Sequence, residues 1–490
     1  MTPQTAILAA ICIPLIGALA IALAGRIGPN LREAATAITS LSLIWVVWGL
    51  LPTLMAGGRP SIEVSQVMPG LSIAFSVEPL GMLFAALASG LWLINSLYSI
   101  GYMRGNKEKN QTRFFACFAL ALSAAMGVAF ADNLFTLFLF YELLTLSTYP
   151  LVSHKGDAAT VRSARVYLGI LLATSIGLFL PAIIWTYTVA GTGDFTVGGI
   201  LDGKLAGPAV GLLLGLFVFG IGKAAVMPVH KWLPAAMVAP TPVSALLHAV
   251  AVVKAGVFAI TKIIIYIFGI EFLSATPSSE WLLYVAAFTI VTASLIALRQ
   301  TNIKRLLAYS TIAQLSYVVM AAAIFKPMAE LGATLHMLAH AFGKITLFFA
   351  AGAIYVASKK TEIHQLRGIG RRMPWTMAAF SIGALSMIGV PPTAGFVSKW
   401  YILAGALEAN NLIAVFTIIA STVLNAAYFL PIVYMVWFER EKEGSPEHGE
   451  APFFAVLALC LTALLTLAFF LFNGPAIELG SQVGSEFIAL

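Results

Sequence analysis

Residues Gly220 to Val257 read GIGKAAVMPVHKWLPAAMVAPTPVSALLHAVAVVKAGV. The stretch is apolar enough to lie in a bilayer, yet it holds Lys223, His230, Lys231, His248 and Lys254, together with Pro228, Pro234, Pro240 and Pro242. Proline removes a helical hydrogen bond and kinks the chain. The pattern predicts a membrane helix broken part-way, running from about 208 to 240, unwound near Val226 to His230, with Lys223 just ahead of the break. Carbonyls freed in such a break host water and face charge. His230 and Lys231 read as groups beside the break that face water, whereas Lys223 lies deeper.

The rest of the chain sets this stretch in a membrane. Of 490 residues, 60% are hydrophobic and 10% charged, against roughly 45–50% and about 25% in soluble domains. A span needs about 20 mostly apolar residues, and about fourteen such runs can be counted. They centre near 15, 46, 89, 122, 144, 176, 218, 254, 290, 313, 343, 389, 423 and 462. Lipid leaves only helices or closed barrels, and these runs lack a barrel's period of two. The expected fold is an all-α polytopic membrane protein of about 14 transmembrane helices, with the seventh and twelfth broken. The first run, Thr5 to Ala24, lacks a basic leader and a clear cleavage site, and reads as a retained span.

The formal charge of +7 does not point to nucleic acid, because the basic residues mark one set of loops. Loops after odd-numbered spans carry nineteen Lys and Arg, ending with Arg440 and Lys442. Loops after even-numbered spans carry three, Arg59, Lys204 and Lys326. The positive-inside rule then puts both termini on the outer side of a cell membrane. Six basic residues remain, and all are lysines in or at the ends of apolar runs: Lys223, Lys231, Lys254, Lys262, Lys344 and Lys399. Lysine loses its proton when desolvated and arginine effectively does not, so buried lysines suit a proton relay. Lys262, near the end of its span, reads as snorkelling. Of the 21 acidic residues, Glu142 alone is mid-span, and the others fall in loops or at span ends. Charge inside a membrane marks a pair or a transport path.

A second break is expected at Pro391 and Pro392, with Lys399 seven residues beyond. Two interrupted spans, five spans apart, suggest inverted repeats. The expected organisation is a three-helix region (1–112), a first repeat of helices 4–8 (113–266), a second of helices 9–13 (267–438), and a C-terminal loop with helix 14 (439–490). His336, His340 and Lys344 stand four residues apart and share one helix face. An HxxxH pair can hold a metal, but no Glu follows His336 and no third acidic ligand is near in sequence. The reading is a polar stripe wetted by internal water, with no metal. His248 and Lys254 are six residues apart, about 120° around a helix, and are expected to meet two different neighbouring helices. Cys12, Cys117 and Cys460 lie in distant spans and form no redox or metal motif, and no nucleotide fingerprint is present. No cofactor is expected, and any electron transfer must come from partner chains.

With these residues assembled, the chain resembles the antiporter-like subunits shared by Mrp-type cation/proton antiporters, complex I and membrane-bound hydrogenases. The likeness covers roughly Phe114 to Tyr434. It is strongest in KAAVMPVHKWLPAAMVAPTPVSALLHA, and is supported by HAFGKITLFFAAG and GVPPTAGFVSKW. The resemblance implies fourteen helices with the two inverted repeats. It gives Glu142 and Lys223 the roles of the fifth-helix glutamate and seventh-helix lysine, a pair that couples protonation to neighbouring subunits. His248 and Lys254 match two alternative relay positions on helix eight, and Lys344 and Lys399 the relay positions on helices eleven and twelve. Tyr141 stands where the family often has tryptophan, residues 163–190 contain no acid, and Lys399 stands where the middle antiporter-like subunit of complex I has glutamate.

The expected function is a proton-translocating subunit of a multisubunit cation/proton antiporter, an Mrp D-type subunit being nearest, coupled to Na⁺ or K⁺ and to other membrane subunits. The alternative is a proton-pumping subunit of a complex I-like NADH-quinone oxidoreductase or hydrogenase. A self-contained cation carrier and a purely structural scaffold are the rival classes. The expected route runs from a Glu142–Lys223 ion pair, by His248 or Lys254, across His340 and Lys344, to Lys399, with His336 on the same stripe.

Overall fold

Apolar runs and proline-led starts set the helices of the structure, a computed structural model that describes residues 1–441 and 447–485. In chain order the principal helices begin with α1 (Pro3–Ile27), α2 (Pro29–Met55), α3 (Pro79–Gly105), α4 (Gln111–Phe130), α5 (Leu134–Val152) and α6 (Ala158–Ala190). They continue with α7 (Pro208–Gly220), α8 (Thr241–Phe268), α9 (Pro277–Leu298), α10 (Ile303–Ala322) and α11 (Pro327–Ser358). The last are α12 (Pro374–Ile388), α13 (Ala394–Glu408), α14 (Leu412–Phe438), α15 (Phe453–Leu471) and α16 (Gly474–Ser485). Polar caps fix several starts: Asn133 accepts from Thr136 N at 2.8 Å to open α5, and Asp157 from Thr160 N at 2.8 Å to open α6. Such caps satisfy backbone donors that the first turn leaves free.

Eleven of the helices among the described residues are long and apolar enough to cross a membrane. The expected runs near 218, 313 and 389 differ. The first gives only the 13-residue α7. The second is α10, which opens with Lys304 and Arg305. The third falls in the break between α12 and α13, each of 15 residues. Lys442, counted with the loop charges, lies outside the described residues.

A hairpin between α2 and α3 had no expectation behind it. Strand β1 (Ser61–Met68) pairs antiparallel with β2 (Leu71–Ser76) around Gly70 at φ +78°. Two elements run through the centre of the bundle. The most apolar stretch of α8 is 100% buried inside the chain and that of α11 94%, against 28% for α6 and 33% for α15. The outer helices therefore keep faces open to lipid or to partner subunits, and α8 and α11 are enclosed by them. Ionisable side chains in membranes concentrate on such interior helices.

Candidate functional site

The first break is longer than the prolines alone predict. Helix α7 ends at Gly220, a single tight turn covers Gly222–Ala224, Ala225 is left-handed at φ +56°, and helix resumes only at Trp232. Lys223 therefore lies inside the break rather than ahead of it. Glycines and close packing move the start: a Cβ at Gly220 would run into the backbone of Phe179, and one at Gly256 into the backbone of Lys223 and Ala224. The freed Gly222 carbonyl accepts Trp232 Nε1 at 2.9 Å. Lys231 is exposed and His230 half-buried beside the break.

Lys223 is fully buried. Its Nζ donates to Tyr141 O at 2.8 Å and to Thr145 Oγ1 at 2.6 Å, and lies 3.1 Å from the centroid of the Tyr141 ring. The expected contact pair with Glu142 is not formed: both Glu142 oxygens are buried without a hydrogen-bond partner among the described residues. Consecutive residues leave a helix about 100° apart, so Tyr141 and Thr145 face the lysine and Glu142 projects to the side of that face. From the sequence Tyr141 stood out only as a departure from the family's tryptophan, and Thr145 was not singled out. Their four-residue spacing was the available signal.

The second cluster spans α8, α11, α12 and α13. Lys254 Nζ lies 2.7 Å from His340 Nδ1. The His340 and His336 rings stack with centroids 6.2 Å apart, and His336 Nδ1 lies 2.8 Å from Ser398 Oγ. Next to Ser398, Lys399 Nζ donates to Met387 O and Ile388 O, each at 2.9 Å. These are terminal carbonyls of α12, which have no partner within their own helix. Tyr317 sits beside this junction, its ring 5.4 Å from that of His336 and 5.1 Å from Lys399 Nζ.

Three expectations change here. His248 and Lys254 both face α11, His248 with its ring tilted 43° against that of Phe348, centroids 4.5 Å apart. A π turn at Leu246–Val250, followed by Ala251 at φ −118°, shifts the phase that a regular helix would keep. Both His248 nitrogens are buried without partners among the described residues. Lys344 lies beside the contact chain rather than on it: its Nζ donates to Ser310 Oγ at 2.7 Å and Leu307 O at 3.3 Å on α10. Tyr428 extends that branch by bonding Ser310 and Asn425. Finally, Lys262 does not snorkel. It is fully buried, 3.1 Å from Glu78 Oε1 and 2.8 Å from Ala131 O. Glu78 also caps α3 and accepts from Tyr266 OH, and Phe195 covers the lysine. Tertiary packing thus closes the water route that a snorkelling side chain needs.

The arrangement is a row of buried groups with exchangeable protons from α8 to α13, two of its links being hydrogen bonds, Lys254 with His340 and His336 with Ser398. A proton moving from Lys254 to His340 turns an ammonium and an imidazole into an amine and an imidazolium, with no net charge entering the core. Among the described residues no hydrogen bond joins Lys223 to Lys254, although their elements meet at Gly256, two residues from Lys254.

The chain has relatives among known proteins. A family model described as NADH:quinone oxidoreductase/Mrp antiporter, transmembrane, matches residues 131–425. That range includes Glu142, Lys399 and every expected relay residue between them. NADH-quinone oxidoreductase subunit N of Desulforudis audaxviator is 33% identical over 92% of this chain and 89% of its own length. A K⁺/H⁺ antiporter component of Rhizobium meliloti, itself named as probable, is 31% identical over 83% of this chain, which spans only 41% of that longer protein. Among solved structures, a chain of the membrane-bound sulfane sulfur reductase, an archaeal respiratory membrane complex, superposes with a TM-score of 0.85 at 26% identity, covering 98% of this chain and 97% of that one. A chain of the Mrp complex from Dietzia sp. gives 0.87 at 22% identity, over 99% and 98%, and supports the fold alone.

Proposed function

The chain belongs to the NADH:quinone oxidoreductase/Mrp antiporter transmembrane family, and from that premise we propose that it carries protons through the membrane along its buried Lys–His row. It is an antiporter-like subunit of an Mrp or complex I-like complex, with other membrane subunits as partners. The observation that carries the proton reading is the buried row Lys254, His340, His336, Ser398 and Lys399, in which Lys254 meets His340 at 2.7 Å and His336 meets Ser398 at 2.8 Å, while water must bridge the 6.2 Å between the two histidine rings and the step from Ser398 to Lys399. It ends on carbonyls exposed by a helix break. Lys223, His248 and Lys344 are relay groups that need internal water to join the series. Glu142 is the charge placed to act on Lys223 from beyond direct contact.

The breaks after α7 and between α12 and α13 support inverted repeats over 113–266 and 267–438. The loop asymmetry supports both termini on the outer side. Exchange of Na⁺ or K⁺ for protons, as in a D-type Mrp subunit, is the first reading. Redox-driven pumping in a complex I-like assembly is the second, favoured by the nearly full-length likeness to the Desulforudis oxidoreductase chain.

Glu142→Gln removes the charge and keeps the shape. The expected result is a loss of about tenfold or more in proton translocation per assembled complex, the effect of about 1.4 kcal/mol of lost charge interaction. The measurement is pH-indicator quenching in vesicles, normalised to intact complex. A wild-type rate in the variant removes Glu142 from the mechanism.

A further inference from the structure

One buried amide beside the break between α12 and α13 stands outside the row described above. Gln314, on α10, is fully buried. Its Nε2 donates to Met387 O at 3.4 Å, the same carbonyl that takes Lys399 Nζ at 2.9 Å. Two donors sharing one oxygen are close enough for one water to span them. Gln314 Oε1 is also buried, and it has no hydrogen-bond partner among the described residues. Buried polar atoms are nearly always bonded, so an acceptor left over calls for an explanation. Lys399 is held close against the break. Gly389 is left-handed at φ +90°, and a Cβ there would lie 2.8 Å from Lys399 Cδ. The lysine ammonium has three N–H donors, of which Met387 O and Ile388 O take two.

The other polar groups nearby are committed elsewhere. Tyr317 presents its ring to Lys399 and gives its hydroxyl to Ile418 O at 3.3 Å. Ser398 Oγ is bonded to His336 and to Gly395 O. The carboxylates on the neighbouring helices, Glu330 on α11 and Glu408 on α13, form no ion pair with Lys399 among the described residues. A lysine that passes a proton on exists in two forms. The ammonium only donates, whereas the amine also offers a lone pair. Backbone carbonyls accept and cannot donate, so they serve the first form and leave the second incomplete. A glutamine amide has both an acceptor oxygen and two N–H donors. Its last torsion is broad and roughly two-fold, so half a turn exchanges Oε1 and Nε2.

We propose that Gln314 is the positioning residue for proton transfer at Lys399, its Oε1 accepting from the ammonium and its Nε2 donating to the amine, directly or through one water. This rests on the proton reading above. On release, an N–H bond of the ammonium breaks and the proton joins a water oxygen at the break, giving hydronium. Lys399 is left as a neutral amine, and its lone pair accepts from Gln314 Nε2–H. Reloading from the His336 side restores the ammonium and turns the amide back. No bond of Gln314 itself is made or broken.

The test uses vesicles containing the native complex, with Gln314→Met, Gln314→Glu and Lys399→Ala compared at equal assembly in H2O and in D2O. Methionine keeps the length and loses donor and acceptor. An ionised glutamate keeps the acceptors and loses the donors. Both are expected to lower translocation about tenfold, the scale of a lost hydrogen bond to a charged group. Both are also expected to raise the ratio of rates in H2O and D2O, because the proton step at Lys399 becomes limiting. A lowered rate with an unchanged ratio makes Gln314 merely structural and overturns the proposal. Wild-type transport in Gln314→Met beside an inactive Lys399→Ala overturns the role of Gln314 and leaves the proton reading standing. Wild-type transport in Lys399→Ala overturns both. Should Gln314→Met fail to assemble, Gln314→Glu decides, since its carboxylate pairs with the buried ammonium: slowed transport with a raised ratio supports the proposal, and any other result overturns it.

Discussion

Replacing Lys254 by alanine is expected to cut proton translocation about 100-fold or more, the scale of a missing acid–base group, while the complex still assembles. Lys254 is fully buried and supplies the contact that joins α8 to the histidines of α11. Alanine offers no exchangeable proton, so the series is cut where it enters α11. Assembly survives because two effects oppose each other. Trimming the side chain leaves a cavity, which destabilises. It also removes a cation whose burial was itself unfavourable. Lys254→Arg separates charge from proton exchange. Arginine keeps the cation but does not deprotonate, so it too is expected to be inactive. Rates come from vesicle acidification, with intact complex counted on native gels. An alanine variant above half the wild-type rate contradicts the role given to Lys254.

A second large effect is expected at a residue with no chemistry of its own. Gly256→Ala should destabilise the chain by about 3 kcal/mol, at the upper end for overpacking a dense core. The added methyl group meets the backbone of Lys223 and Ala224. Backbone yields less readily than a flexible side chain. Relief requires shifting the break, which drags the Lys223 ammonium away from Tyr141 O and Thr145 Oγ1. Transport and thermal stability should therefore fall together. Gly90→Ala on α3 is the control, because a Cβ there has nothing within 4 Å. Melting curves of the purified complex read the effect. A Gly256→Ala curve that overlays the Gly90→Ala curve shows that the close approach is not tight.

Much of this architecture was legible in the residues. Gly220, Gly222 and Pro228 announce one break, and Pro391 and Pro392 the other. Lysine rather than arginine deep in the apolar runs is what suggested the proton chemistry proposed above. What stayed hidden depends on partners that carry no charge. The sequence says that Lys223 is deep, but its binding groups are a carbonyl, a ring and a hydroxyl of α5. The π turn at Leu246–Val250 adds no residue type that periodicity would register, yet it turns His248 and Lys254 toward one helix. Lys262 reads as a helix-end lysine until Phe195 and Glu78, distant in sequence, close over it. Lys344 shares a face with His340, but Ser310 of α10 draws its ammonium aside. Gln314 carries no charge, and only its buried, unpartnered oxygen beside the Lys399 junction marks it out.

The central claim is that the buried row carries protons rather than merely holding helices together. The most direct measurement is proton translocation by the native complex in vesicles, wild type against Lys223→Ala at equal assembly, driven by an imposed gradient of Na⁺ or K⁺ or by the complex's own redox reaction. The expected result is translocation lost with assembly intact. Translocation at the wild-type rate in Lys223→Ala would show that the buried lysine in the first break is structural and that protons take another path.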